Sequence, residues 1–135
     1  MPGTFDRLHW SVHTEIVVLN APLFFEEELT RLKGVRVSRD LLTARHITFA
    51  LIFVTRKAQL DQLAKAITSK IQDDATLWFA YPKVTSRNLT CDFDRDTGWD
   101  VIRRAGFDFI RHVAIDEDWS ALRFRRSEFI KRQSS

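Results

Sequence analysis

Lys83, Thr85, Ser86 and Arg87 crowd into the polar half of the stretch LWFAYPKVTSR, Leu77 to Arg87. Two cations of different shape with hydroxyls between them suit the holding of a phosphate or carboxylate. The ammonium acts as a compact charge and the guanidinium as a planar fork. Lys83 and Ser86 also supply the residue types of a serine nucleophile with a lysine base, which needs a desolvated, neutral lysine in hydrogen-bond contact. Against that, no G-x-S-x-G elbow occurs in the chain. The plain alternative is a solvated loop in which Lys83 lies along the surface and Thr85 and Ser86 make a turn.

Other groups offer less. Asp92, Asp94 and Asp96 alternate as at the start of a calcium loop, but Thr97 stands where glycine is required and Arg103 where a bidentate glutamate belongs. Helix capping by one of them and pairing of others with Arg87 or Arg95 accounts for the aspartates, so no metal is expected. His9 and His13 are four apart with no third ligand nearby, and His46 and His112 are isolated, which does not make a zinc site. Cys91 is the single cysteine and stands beside Asp92, whose charge disfavours a thiolate. In DEDWSALRF, Trp119 and Ser120 offer a pocket wall and a donor, set against a turn whose tryptophan closes the core. RFRRSEFIKR, 123 to 132, carries five basic residues with Phe124 and Phe129 between them. It brings no recognised nucleic-acid module, so nucleic acid is not the expected partner.

A chain of 135 residues with 44% hydrophobic content can bury a core without disulfides or metal, and one domain spanning 1–135 is expected, its core at about 15–126. The net charge of +3 is mild and both signs are spread along the sequence. No apolar run approaches the roughly 18 residues of a membrane span, and MPGTFDRLHW lacks the pattern of a secretion signal. A cytoplasmic protein with no membrane partner is the expectation.

The elements that must position the polar cluster follow from periodicity. EIVVLN (15–20) is a β-branched apolar run that predicts a buried strand, and Pro22 opens a helix in which Phe25, Leu29 and Leu32 share a face before Gly34. VRVSRDLL (35–42) predicts a less buried strand, and ITFALIFV (47–54) a central one covered on both faces. Thr55 is the expected cap of the next helix, with Leu60, Leu63, Ala64, Ile67 and Ile71 inward. ATLWFAY gives a further strand, ended by Pro82. RDTGWDVIRRAGF gives a helix capped by Asp94 or Asp96, with Trp99 and Ile102 inward and Gly106 as exit. FDFIRHVAI and ALRFRR, broken at DEDWS, predict a terminal antiparallel pair. Alternating strands and helices require a mainly parallel sheet with helices on both faces, a Rossmann-like three-layer α/β/α domain.

LNAP at 19–22, WFAYPKVTS at 78–86, TCDFDRDTGW at 90–99 and AIDEDWSALRF at 114–124 resemble the motifs of a family of small uncharacterised bacterial proteins. That resemblance implies no established activity. The order of elements is similar at fold level to the class I methyltransferases, which likewise finish a parallel sheet with an antiparallel hairpin. Those enzymes place a glycine-rich turn after the first strand, whereas this chain has Asn20-Ala21-Pro22-Leu23-Phe24, with side chains shielding the backbone and no N–H on Pro22. In such a sheet the strands 15–20, 47–54 and 75–81 would be neighbours. Asn20, Thr55 with Arg56, and Tyr81 to Lys83 would then line one crevice at their carboxyl ends.

The leading expectation is therefore a degenerate methyltransferase-like domain. It binds an anionic small molecule or partner through Asn20, Thr55, Tyr81, Lys83, Thr85, Ser86, Arg87, Trp119 and Ser120, centred on Lys83, Ser86 and Arg87. No cofactor and no catalysis are expected. The alternatives are an enzyme of the methyl- or acyl/phosphoryl-transfer class with Lys83 or Asp94 as acid-base group, and an interaction subunit that forms a homodimer through the edge of the terminal hairpin or a weak nucleic-acid binder.

Overall fold

The computed structural model describes residues 15–31, 35–41, 47–71, 74–87, 89–93 and 97–130. Its sheet is made of the most apolar segments of the chain. Strand β1 is Glu15–Leu19, β2 Arg36–Ser38, β3 Phe49–Phe53, β4 Thr76–Pro82, β5 Phe107–Ala114 and β6 Trp119–Arg126, laid side by side in the order β2-β1-β3-β4-β6-β5. The first four strands run parallel, β6 is antiparallel to β4, and β5 is antiparallel to β6. The expected neighbours β1, β3 and β4 do lie together. Helix α1 is Leu23–Leu29, α2 Lys57–Lys70 and α3 Asp100–Arg104.

β3 and β4 are buried along their whole length, as continuous apolar runs between two covered faces must be. Strand alternation divides the core in two. Val17, Leu19, Ala50, Ile52, Leu77, Phe79, Tyr81, Leu122 and Phe124 pack under Leu60, Ala64 and Ile67 of α2 and Ile102 of α3. Ile16, Val18, Phe49, Leu51, Phe53, Trp78, Trp119 and Ala121 pack on the other side with Phe25 and Leu29 of α1. Trp99 is the centre of the first half, its ring 5.3–5.9 Å from those of Phe79, Tyr81, Phe93 and Phe124.

The departures from expectation are local. Among the described residues β2 keeps only Arg36–Ser38 of the expected 35–42, and position 42 lies outside them. α1 ends at Leu29, so the expected continuation through Leu32 to Gly34 falls outside the described residues. Thr55 does not cap α2, which begins after Arg56 with no side-chain cap of its own. α3 starts after Trp99, and its expected caps Asp94 and Asp96 lie outside the described residues. Its exit matches expectation, with Gly106 at φ 93°, a backbone conformation that favours glycine. The break at DEDWS is a turn in which the Asp116 carboxylate accepts the Asp118 and Trp119 N–H groups, both at 2.8 Å. Among the described residues no helix is long and apolar enough to cross a membrane.

Candidate functional site

The connection through α1 carries the chain from β1 to β2 on one side, while β3 returns to the other side of β1. Strand order thus reverses between β1 and β3, and the carboxyl ends of these strands flank the place where open α/β sheets bind ligands. At the end of β1, Asn20 adopts φ 60°, in the left-handed region that asparagine tolerates better than most residues. Its Nδ2 donates to the Phe53 carbonyl at 3.4 Å, tying the two strand ends together. Pro22 follows as the N-cap of α1, with extended backbone and no side-chain cap. Behind this turn, Arg39 at the end of β2 donates through Nε and Nη2 to both Glu26 oxygens at 2.7–3.2 Å. That hydrogen bonding, reinforced by charge, holds the Glu26 carboxyl below its usual range and raises the Arg39 guanidinium.

The turn after β3 is open. The Thr55 N–H donates to Gln59 Oε1 at 2.9 Å, and the Lys57 N–H, the first of α2, donates to Asp92 Oδ1 at 2.5 Å. Asp92 therefore caps α2 from 35 residues away in sequence, satisfying a donor that Thr55 and Arg56 leave free. The segment it anchors stands off from the turn, and between them lies a cavity of about 480 Å³ lined by Thr55, Arg56, Leu89, Thr90, Cys91 and Asp92. Arg56 contributes an exposed guanidinium, Thr55 and Thr90 contribute hydroxyls and Leu89 an apolar surface. One Asp92 oxygen is engaged by the helix amide, and the carboxylate shares the lining with the Arg56 guanidinium and the Thr55 and Thr90 hydroxyls.

The sequence-predicted residues take several different positions around this edge. Thr55 is in the cavity wall. Tyr81 is buried among Phe93 and Trp99, and Ser120 is buried opposite it on β6. Trp119 is 6% exposed and edge-on to Phe53 at 5.1 Å, inside the core. Lys83 is half-buried, and its N–H donates to the Asp118 carbonyl at 2.7 Å. The Ser86 hydroxyl donates to Asp118 Oδ1 at 2.7 Å and accepts the Leu89 N–H at 3.0 Å. Thr85 and Arg87 are exposed. The loop after Pro82 is thus stapled to the β5–β6 turn through Ser86 and Asp118, and this staple leads directly into the cavity-lining segment. Residue types alone did not point to Leu89, Thr90 or Asp118, because their roles depend on contacts between distant segments. Asp92 showed its capping chemistry in sequence but not which helix it serves.

No family model matches the chain, and no curated protein matches it. Solved structures do. Mitomycin 7-O-methyltransferase superposes with a TM-score of 0.66 at 9% identity, over 91% of this chain and 52% of that one, so the chain spans about half its length. Magnesium protoporphyrin IX methyltransferase from Synechocystis PCC 6803, solved with S-adenosylhomocysteine bound, gives 0.63 at 8% identity, over 92% and 81%. The N-methyltransferase NodS from Bradyrhizobium japonicum, solved with the same compound, gives 0.58 at 12% identity, over 90% and 83%. The fold is methyltransferase-like. At these identities the likeness concerns the backbone, and the chemistry must be argued from the side chains at the sheet's carboxyl edge.

Proposed function

We propose that this protein is a methyltransferase-like binding domain that holds an anionic small molecule in the crevice between Thr55–Arg56 and residues 89–92, and performs no chemistry of its own. The observation that carries this reading is the cavity itself, polar at Thr55, Arg56 and Thr90 and next to the switch point of the sheet. Arg56 supplies the fork for a phosphate or carboxylate, and Leu89 packs on the ligand's apolar part. Support for the absence of catalysis comes from the turn after β1. Asn20 and Pro22 replace a glycine-rich approach, and Asn20 closes the turn onto Phe53. On the same reading the protein belongs with the small bacterial proteins that carry YPK-x-TS and AID-x-x-WSALRF, works in the cytoplasm, and can dimerise through the outer edge of β5.

A second reading, S-adenosylmethionine-dependent methyl transfer, is favoured by the neighbours solved with S-adenosylhomocysteine. Isothermal titration with S-adenosylhomocysteine, nucleotides and acyl phosphates separates the two. The binding-domain reading expects an anionic compound to bind with an affinity at least about tenfold weaker in Arg56→Ala, a loss of about 1.4 kcal/mol, and to be recovered unchanged after incubation. S-adenosylhomocysteine binding that is indifferent to Arg56, with methyl transfer from S-adenosylmethionine to any acceptor, overturns it in favour of the second.

A further inference from the structure

α2 and α3 touch on one face of the sheet, with Leu60, Ala64 and Ile67 of the first and Ile102 of the second in the core beneath. An open groove of about 440 Å³ runs between them, lined by Asp61, Lys65 and Thr68 of α2 and by Val101, Arg104 and Ala105 at the end of α3. Spacings of four and three put the α2 residues in one stripe. Val101 packs against the core, and with Ala105 it gives the groove its apolar part. None of the six lines the crevice at the start of α2.

The polar groups of the groove do not balance one another. Asp61 pairs with Lys57 one turn back, which engages one carboxylate oxygen and offsets its charge. The Thr68 hydroxyl gives its hydrogen to the Ala64 carbonyl at 2.7 Å, so its oxygen is left to accept. Arg104 makes one long contact, from Nε to the Asp100 carbonyl at 3.4 Å. Among the described residues neither Arg104 nor Lys65 has a carboxylate partner, and both are exposed. The groove thus sets two uncompensated cations beside acceptor oxygens, those of Thr68 and the second oxygen of Asp61.

We propose that the groove between α2 and α3 is a second ligand site, one that takes the phosphate monoester of a small polyol. The monoester carries about −1.5 to −2 charge at neutral pH and three strong acceptor oxygens, which suits the Arg104 fork and the Lys65 ammonium together. A carboxylate brings only one charge to the same two cations. The polyol hydroxyls supply the donors that Thr68 and Asp61 can accept, and its carbon chain lies against Val101 and Ala105. A phosphate without hydroxyls leaves those acceptors to water, and a neutral polyol leaves the cations unmatched. The volume of the groove falls in the ordinary range of small-molecule sites.

The test is titration of the full chain with ribose 5-phosphate, inorganic phosphate and ribose, read by calorimetry and by backbone amide shifts. The titrations are run in Arg56→Ala, so that anion binding in the crevice is removed and the two sites are read separately. Ribose 5-phosphate is expected to bind at least about tenfold more tightly than inorganic phosphate or ribose, with its largest shifts between Asp61 and Thr68 and between Val101 and Ala105. Adding Lys65→Gln or Arg104→Gln, exchanges at exposed positions that leave the fold intact, should each weaken that binding at least about tenfold. Absence of ribose 5-phosphate binding, or binding that survives both exchanges, overturns the proposal. So does inorganic phosphate that binds as tightly as ribose 5-phosphate, because the groove would then read charge alone.

Discussion

The turns after β1 and β3 stand side by side at the same edge of the sheet and are held by opposite means, one closed and one open. The first is sealed from within its own neighbourhood. Asn20 takes a left-handed conformation, bonds to the Phe53 carbonyl and hands over to Pro22, so the start of α1 has no free glycine backbone for a ligand to approach. The second is completed from a distance by Asp92, which caps α2 and so fixes residues 89–92 beside Thr55 and Arg56 around the cavity. The difference is what leads the proposed function to place the ligand at the second turn and not at the first.

Breaking the packing beneath the two turns should have the largest effect. Trp119 joins the core under the closed turn through Phe53. Trp119→Ala should therefore destabilise the protein by about 3–5 kcal/mol in urea unfolding, as expected for truncating a buried aromatic. If Trp119 were instead the wall of an open pocket, the loss would stay near 1 kcal/mol or less.

Next comes the staple that leads into the open turn. Ser86→Ala removes the hydroxyl that joins Asp118 to the Leu89 N–H, and should cost about 1–3 kcal/mol because both partners lose a hydrogen bond. The neighbouring exposed Thr85→Ala should change stability by less than about 0.5 kcal/mol. The same denaturation series reads both, and equal effects would remove the distinction between staple and solvated loop.

The smallest effect concerns pH, and it sharpens the contrast between this edge and the hairpin. Glu26, behind the first turn, and Asp74, beside the hairpin, have carboxyl pKa values lowered mainly by hydrogen bonds from Arg39 and Arg125. Their folded values lie below the unfolded ones, so their stabilisation is fully present above the usual carboxylate range and is lost as pH falls through the depressed values. Both pairs are partly exposed, and each should contribute about 0.2–1 kcal/mol. Asp74→Asn should flatten the acid limb of stability against pH slightly and leave the neutral plateau lower by that amount.

Much of the fold was legible because burial leaves a periodic trace. ITFALIFV and ATLWFAY read as covered strands, and the alternation of Leu122 and Phe124 with Arg123 and Arg125 placed one face of the last strand correctly. β2 was overextended because three paired residues leave almost no pattern. The edge that carries the proposed site was legible, since strand order alone puts Asn20, Thr55 and Arg56 at the carboxyl ends of neighbouring strands, although the sequence reading centred the site on Lys83, Ser86 and Arg87. Its chemistry was not. Tyr81, Trp119 and Ser120 carry polar groups that are equally at home in a core, and Ser86 is taken up by Asp118 through a contact between segments 32 residues apart. Asp92 shows the same limit, because local spacing identifies a capping residue but not a helix that arrives from elsewhere.

The central claim, that the ligand sits at the second turn and not the first, is tested most directly by mapping backbone amide chemical shifts while titrating whichever anionic compound binds in calorimetry. The account predicts that the largest shifts fall on Thr55, Arg56 and residues 89–92, with Ala21 to Phe25 nearly unmoved. Shifts centred on Asn20 to Phe25, with Thr55, Arg56 and 89–92 silent, would contradict it.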